Sequence, residues 1–169
     1  LGGAVRKAVA TDFWVNRPGP ETLLALVREA TARGLRGMKM KSNMAGDTVQ
    51  AILTIAADIP HDFRFTIDPM TAWRSMREAA RYFEALAKLP FTIQIEDPFP
   101  WRAVDDWHKA RQLFPLTIAS HARSAEVLHL SLREELADTY NLGGAGAYDF
   151  LHMTPVVEFG HKDCWQGSS

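Results

Sequence analysis

Lys39, Lys41, Asp68, Glu96 and His121 are the residues of this chain whose types and spacing could do chemistry together. The two lysines stand two apart in "GMKMK". Asp68 and Glu96 each close an apolar, β-favouring run, "FRFTIDP" and "FTIQIEDP", and each run stops at a proline. His121 closes a third run, "LTIASH". Two carboxylates brought close in a site of low dielectric repel one another, and a bound cation is the natural relief. Hard oxygen ligands on a few carboxylates, with positions left for water or substrate, suit Mg²⁺. Two ammonium groups entering one space, with burial, favour loss of a proton from one of them, which moves it towards a useful base.

Each feature also has a plainer reading. K-x-K suits a solvated surface strand, and an acid followed by proline is ordinary turn chemistry. A single histidine is commonly a hydrogen-bonded structural residue. His108, His129, His152 and His161 fall in helical patterns and His61 in a loop, and none is assigned a role. The sharper reading gains its weight from order: the features recur one strand apart, with matching side-chain parity.

The elements that must position them alternate between strand and helix. Strand-like runs are "AVATDFWV", "GLRGMKMKS", "FRFTIDP", "FTIQIEDP", "LTIASH", "DTYNLGG" and "DCWQG". Between them lie the helical patterns "ETLLALVREATARG", "TAWRSMREAARYFEALAKL", "AVDDWHKARQLF" and "SAEVLHLSLREELA". Leu23, Val27 and Ala30 share a face, with Gly34 as a C-terminal stop. Trp73, Met76, Ala80, Phe83 and Ala87 share another, and Ser124 is a candidate N-cap. Strand ends at Lys41, Asp68, Glu96, His121 and Gly143 are 27, 28, 25 and 22 residues apart, the pitch of βα units on a parallel sheet.

An open doubly wound sheet and a (β/α)₈ barrel both satisfy that pitch, and parity chooses between them. Successive strand residues face opposite ways. Glu96 shares its face with Gln94 and Thr92, against Phe91, Ile93 and Ile95. Asp68 goes with Thr66 and Arg64, His121 with Ala119 and Thr117, and Lys41 with Lys39 and Gly37. Strands sandwiched in an open parallel sheet are apolar on both faces. A barrel with a polar lumen near its C-terminal mouth fits these four strands better. The expected fold is therefore α/β, a TIM-type (β/α)₈ barrel filling residues 1–169 but incomplete, with about seven βα units. A full barrel runs to about 250 residues, and both ends, "LGGAV" and "CWQGSS", read as cut. By the same parity Glu96 faces the lumen while Asp97 faces away and is structural.

Composition removes other classes. At 47% hydrophobic and 23% charged, the chain can build one sizeable core. A net charge of -1 offers no basic field for nucleic acid or an anionic membrane surface. No apolar run approaches the roughly 20 residues that span a bilayer. Cys164 is the only cysteine, which excludes an internal disulfide and suits a reducing cytosol, so a cytoplasmic location is expected.

"GLRGMKMKS", "FTIDPMTAW" and "IQIEDPFP", in this order, resemble the barrel domain of the enolase superfamily, in its mandelate racemase/muconate lactonizing branch. "LGGAVRKAV" is similar to the lead-in to that barrel, so the resemblance covers nearly the whole chain. It implies abstraction of the proton α to a carboxylate, with the enediolate stabilised on Mg²⁺. Such a proton is too weakly acidic for a lysine alone, and a Lewis acid on the developing dianion supplies the help. By resemblance Lys41 is the base, Lys39 lies beside the substrate carboxylate, and Asp68 and Glu96 are the first two metal ligands.

The sequence departs from that pattern at three places. His121 stands where a third carboxylate ligand ends the fifth strand, and imidazole would tilt the site towards Mn²⁺, Fe²⁺ or Zn²⁺. Met70 stands in place of an asparagine that would hydrogen-bond the first ligand. A base on the opposite face of the substrate is expected on the sixth or seventh strand, where this chain offers Asn141 and Gly143, then Trp165 and Gln166. Asn141 and Gln166 are the candidate substrate contacts. The N-terminal capping domain and an eighth strand are also expected and not seen in the sequence. One-base chemistry, such as syn elimination of water from a sugar acid, survives these departures better than two-base racemisation. The expected activity is thus an acid-sugar dehydratase or a related racemase, cycloisomerase or other isomerase. The competing expectation is a relative that kept the scaffold and lost catalysis. A glycosidase-like barrel using Glu96 and another acid is weaker, because it leaves Lys39 and Lys41 unexplained. The expected partners are a small carboxylate, a sugar acid, and further copies of the full-length chain.

Overall fold

The computed structural model describes residues 11–142 and 163–165. Seven strands form one parallel sheet: β1 (Phe13–Val15), β2 (Gly37–Lys41), β3 (Arg64–Asp68), β4 (Thr92–Glu96), β5 (Thr117–His121), β6 (Thr139–Asn141) and β7 (Asp163–Trp165). Their order in the sheet is their order in the chain. A doubly wound sheet reverses its strand order at a switch point. This sheet does not reverse, so it is the arc of a TIM-type barrel. Among the described residues five helices supply the crossovers from β1 to β6: α1 (Pro20–Ala32), α2 (Asp47–Ile55), α3 (Met76–Leu86), α4 (Val104–Leu113) and α5 (Ala125–Arg133). No helix among the described residues is long and apolar enough to cross a membrane.

The period-2 pattern sorts side chains as parity requires. Met38, Met40, Phe65, Ile67, Ile93, Ile95 and Ile118 are buried in one core with Leu23, Val27, Ile52, Ala79, Phe83, Leu86, Trp107 and Leu128 of the helices. Phe83 ties this layer together, with ring centroids 5.8 Å from Trp73, 6.0 Å from Phe99 and 5.4 Å from Phe114. The alternate residues Lys39, Thr66, Asp68, Glu96, Ala119, His121, Thr139 and Asn141 belong to the other face and are also buried.

Several boundaries differ from the sequence expectation. β1 begins at Phe13, and residues 8–10 of its run lie outside the described residues, as does the lead-in "LGGAVRKAV". The helical pattern at 71–89 yields a helix only over Met76–Leu86. Met70, Thr71 and Arg74 have positive φ (52, 63 and 49°), which no α-helix admits. Ser75 then starts the helix, its hydroxyl accepting from the Glu78 N–H at 3.4 Å. Trp73 is thus buried from a turn, and the inward face is Met76, Ala79, Phe83 and Leu86 rather than one through Ala80 and Ala87. The Ser124 cap is present, its hydroxyl accepting from the Val127 N–H at 3.3 Å. Gly34 stops α1 at φ 82°, letting the Leu35 N–H reach the Ala30 carbonyl at 2.9 Å.

Helix α2 has no counterpart in the sequence expectation. Its N-cap is Gly46, at φ 71°, with no capping side chain to announce it. A Cβ on Gly46 would sit 2.3 Å from the Tyr82 ring. Gly46→Ala therefore meets both a left-handed backbone and an aromatic wall, and is expected to lower stability by about 1–3 kcal/mol in urea denaturation.

Candidate active site

Register brings the candidate residues to one rim. Lys39 is level with Thr66, and Lys41 with Asp68. Thr66 is level with Gln94 and Ile67 with Ile95, the last pair before Glu96, and His121 is level with Asn141. Lys39, Lys41, Asp68 and Glu96 form one ionic cluster at the C-terminal ends of β2, β3 and β4, the end of a barrel where active sites form. Lys41 Nζ lies 2.5 Å from Asp68 Oδ2. Lys39 Nζ lies 2.6 Å from Glu96 Oε2 and 3.8 Å from Asp68 Oδ2. Repulsion between the carboxylates is therefore relieved by the lysines themselves, a relief that the sequence expectation gave to a metal. Each ammonium has opposite charge as its close neighbour.

Both acids are held by one oxygen and present the other. Asp68 Oδ1 accepts the Met70 backbone N–H at 2.8 Å. The hydrogen bond missing from the Met70 side chain is thus replaced by one from its backbone, which the residue's positive φ helps to aim. Glu96 Oε1 accepts the Asn141 amide at 2.9 Å. Glu96 Oε2 is buried with no aligned hydrogen bond among the described residues, and the Lys39 charge faces it. Asn141, expected as a substrate contact, is itself fully buried and turns its amide to Glu96. His121 brings Nδ1 to 3.5 Å from that same Glu96 Oε1. Gln166 and Gly143 lie outside the described residues, as do His152 and His161.

The loop after Lys41 is fastened by bonds that no local motif reveals. Thr48 Oγ1 donates to the Lys41 carbonyl at 2.6 Å. Trp73 Nε1 donates to the Asn43 carbonyl at 3.0 Å, and the Tyr82 hydroxyl to the Met44 carbonyl at 2.9 Å. Helix α3 and the turn before it thereby fix the direction of the strand end that carries both lysines.

Asp97 serves the frame. It turns the chain at φ 45°, and its Oδ1 accepts the His121 N–H at 2.8 Å, locking the end of β4 to the end of β5. Burial pushes its carboxyl up from 3.8 to about 7; the His121 N–H opposes this, and the Glu96 and Asp68 charges add to it. Because the folded value is the higher one, the folded state holds this proton more tightly than the unfolded chain. Its favourable contribution is complete below the unfolded value and fades as pH rises through about 7. Asp97→Asn keeps the acceptor, removes the charge and suits a left-handed backbone. It is expected to raise stability at pH 8 by roughly 2–4 kcal/mol and to flatten the pH dependence between pH 4 and 7, read from denaturant midpoints.

The donor set fits a hard divalent cation. Two buried carboxylates on adjacent strands, each with its second oxygen facing positive charge, supply what Mg²⁺ takes from a protein when water and substrate complete the shell. Among the described residues no group of three or more His, Cys, Asp or Glu is arranged to hold a metal.

No protein-family model matches the chain, and no curated protein matches it. Solved structures do. The 2-chloromuconate cycloisomerase from Rhodococcus opacus 1CP superimposes with a TM-score of 0.86 at 18% identity, over 97% of this chain and 47% of that one. The 3,6-anhydro-D-galactonate cycloisomerase from Zobellia galactanivorans gives 0.85 at 16% identity, over 99% and 49%. The dipeptide epimerase from Cytophaga hutchinsonii, complexed with Mg and the dipeptide D-Ala-L-Val, gives 0.83 at 20% identity, over 99% and 47%. The chain spans about half the length of each. Its fold is therefore the barrel fold of these cycloisomerases and of this epimerase.

Proposed function

We propose that this chain is the barrel portion of an enolase-superfamily enzyme of the mandelate racemase/muconate lactonizing branch. It takes the proton α to a substrate carboxylate and stabilises the resulting enediolate, and its most suitable overall reaction is dehydration of a sugar acid. The observation that carries this reading is the cluster of Lys39, Lys41, Asp68 and Glu96 at the rim of a barrel with this fold.

Asp68 and Glu96 would hold Mg²⁺, or Mn²⁺ if His121 also contributes. Bound there, the cation supplies Lewis-acid neutralisation of charge developing on the substrate carboxylate. The chain's own residues do the rest. Met70 and Asn141 orient the two acids, and Lys39 draws the substrate carboxylate to them. Lys41, the more exposed lysine, accepts the α-proton on Nζ once neutral. The same nitrogen can return that proton to a departing β-hydroxyl, so one residue serves both halves of a syn elimination. The similarity to a cycloisomerase of a sugar-acid derivative and to an epimerase favours an isomerase as the second reading. Calorimetric titration of the intact protein with Mg²⁺ is expected to show saturable binding; a flat titration with Mg²⁺ and Mn²⁺ would remove the main support for either reading.

A further inference from the structure

Lys39 occupies the position a cation would need. Its ammonium spans both acids, 2.6 Å from Glu96 Oε2 and 3.8 Å from Asp68 Oδ2, while the Asn141 amide and the Met70 N–H hold the other two oxygens. The oxygens open to a metal are therefore the ones facing Lys39. Lys41 differs, because its ion pair is with Asp68. Lys39 also rises from the middle of β2, level with Thr66, and its side chain is only 11% exposed against 23% for Lys41. The charges balance as they stand, two ammoniums against two carboxylates. Strand β5 ends in His121, so that strand end offers an imidazole and not a further carboxylate.

We propose that Lys39 is a tethered competitor for the divalent cation. Without metal its ammonium bridges Asp68 and Glu96 and keeps two buried acids from repelling. Metal binding displaces it from the two acids, and the displaced ammonium then favours an incoming substrate carboxylate. Metal and carboxylate binding are then coupled through one side chain, each strengthening the other. The inference rests on the proposed cation site at Asp68 and Glu96.

The test is the calorimetric Kd for Mg²⁺ and Mn²⁺ of the intact protein and its variants, with thermal unfolding to confirm the fold. Lys39→Met and Lys39→Gln, which keep the stem and lose the charge, should bind roughly tenfold tighter or more. Lys39→Arg, which keeps the charge, should stay near the wild type, and so should Lys88→Met at an exposed site. Binding by the wild type that is unchanged or weakened in both neutral Lys39 variants overturns the competition and leaves the cation site standing. No binding in the wild type or in either neutral variant overturns both. Binding that emerges only when Lys39 is neutral supports the competition and overturns the metal-dependent function proposed for the wild type.

Discussion

Lys41→Met is expected to lower exchange of the substrate α-proton by about 10³- to 10⁴-fold while divalent-metal binding persists. Methionine keeps the length and apolar stem of lysine and removes the amine proposed as the base. The loss at Asp68 is partial, because Lys39 still lies 3.8 Å from the oxygen that Lys41 holds at 2.5 Å. Exchange should therefore fall far more than stability does. Parallel measurement of α-deuteration by mass spectrometry and of the denaturation midpoint separates the two. An exchange rate within tenfold of the wild type would remove Lys41 from the role of base.

Glu96→Ala is expected to abolish measurable metal binding and to cost about 3–5 kcal/mol of stability. Glu96 is fully buried and is the partner of Lys39, Asn141 and His121 together. Its removal takes away the nearer of the two anions facing Lys39 and the acceptor of the Asn141 amide at once. Glu96→Gln divides the two losses. It preserves an acceptor for Asn141 and the packing, so most of the stability should return, while the oxygen facing the cation is gone and metal binding should not. Titration calorimetry and urea denaturation on the pair give both readings.

The site was legible in the sequence to the extent that it obeys a period of two. Lys39, Lys41, Asp68, Glu96 and His121 share one face because each lies an even number of positions from its neighbours along its strand. Parallel register then aligns the strand ends. The T-I-D-P and I-E-D-P endings marked the rim because proline stops a strand where the chain must leave the sheet. What the sequence concealed is carried by contacts between distant positions or by the backbone. Asn141 and Glu96 lie 45 positions apart, so nothing local ties that amide to that acid. The Met70 N–H bond to Asp68 depends on a left-handed residue after proline, which a side-chain reading cannot see. Helix α2 was hidden because a glycine begins it, and five of its nine residues are β-branched. The turn before α3 was misread as helix because Trp73 falls at helical spacing from Met76 while reaching the core by another route.

Deuterium wash-in from D₂O is the direct measure of α-proton abstraction. The intact protein, supplied with Mg²⁺, is incubated with a library of sugar acids and other small carboxylates, and incorporation at the α-carbon is followed by mass spectrometry. Incorporation into at least one member is predicted, dependent on the divalent cation and lost in Lys41→Met. A fully folded, metal-binding protein that exchanges no member of the library would contradict catalysis at this site and leave a barrel that kept the scaffold alone.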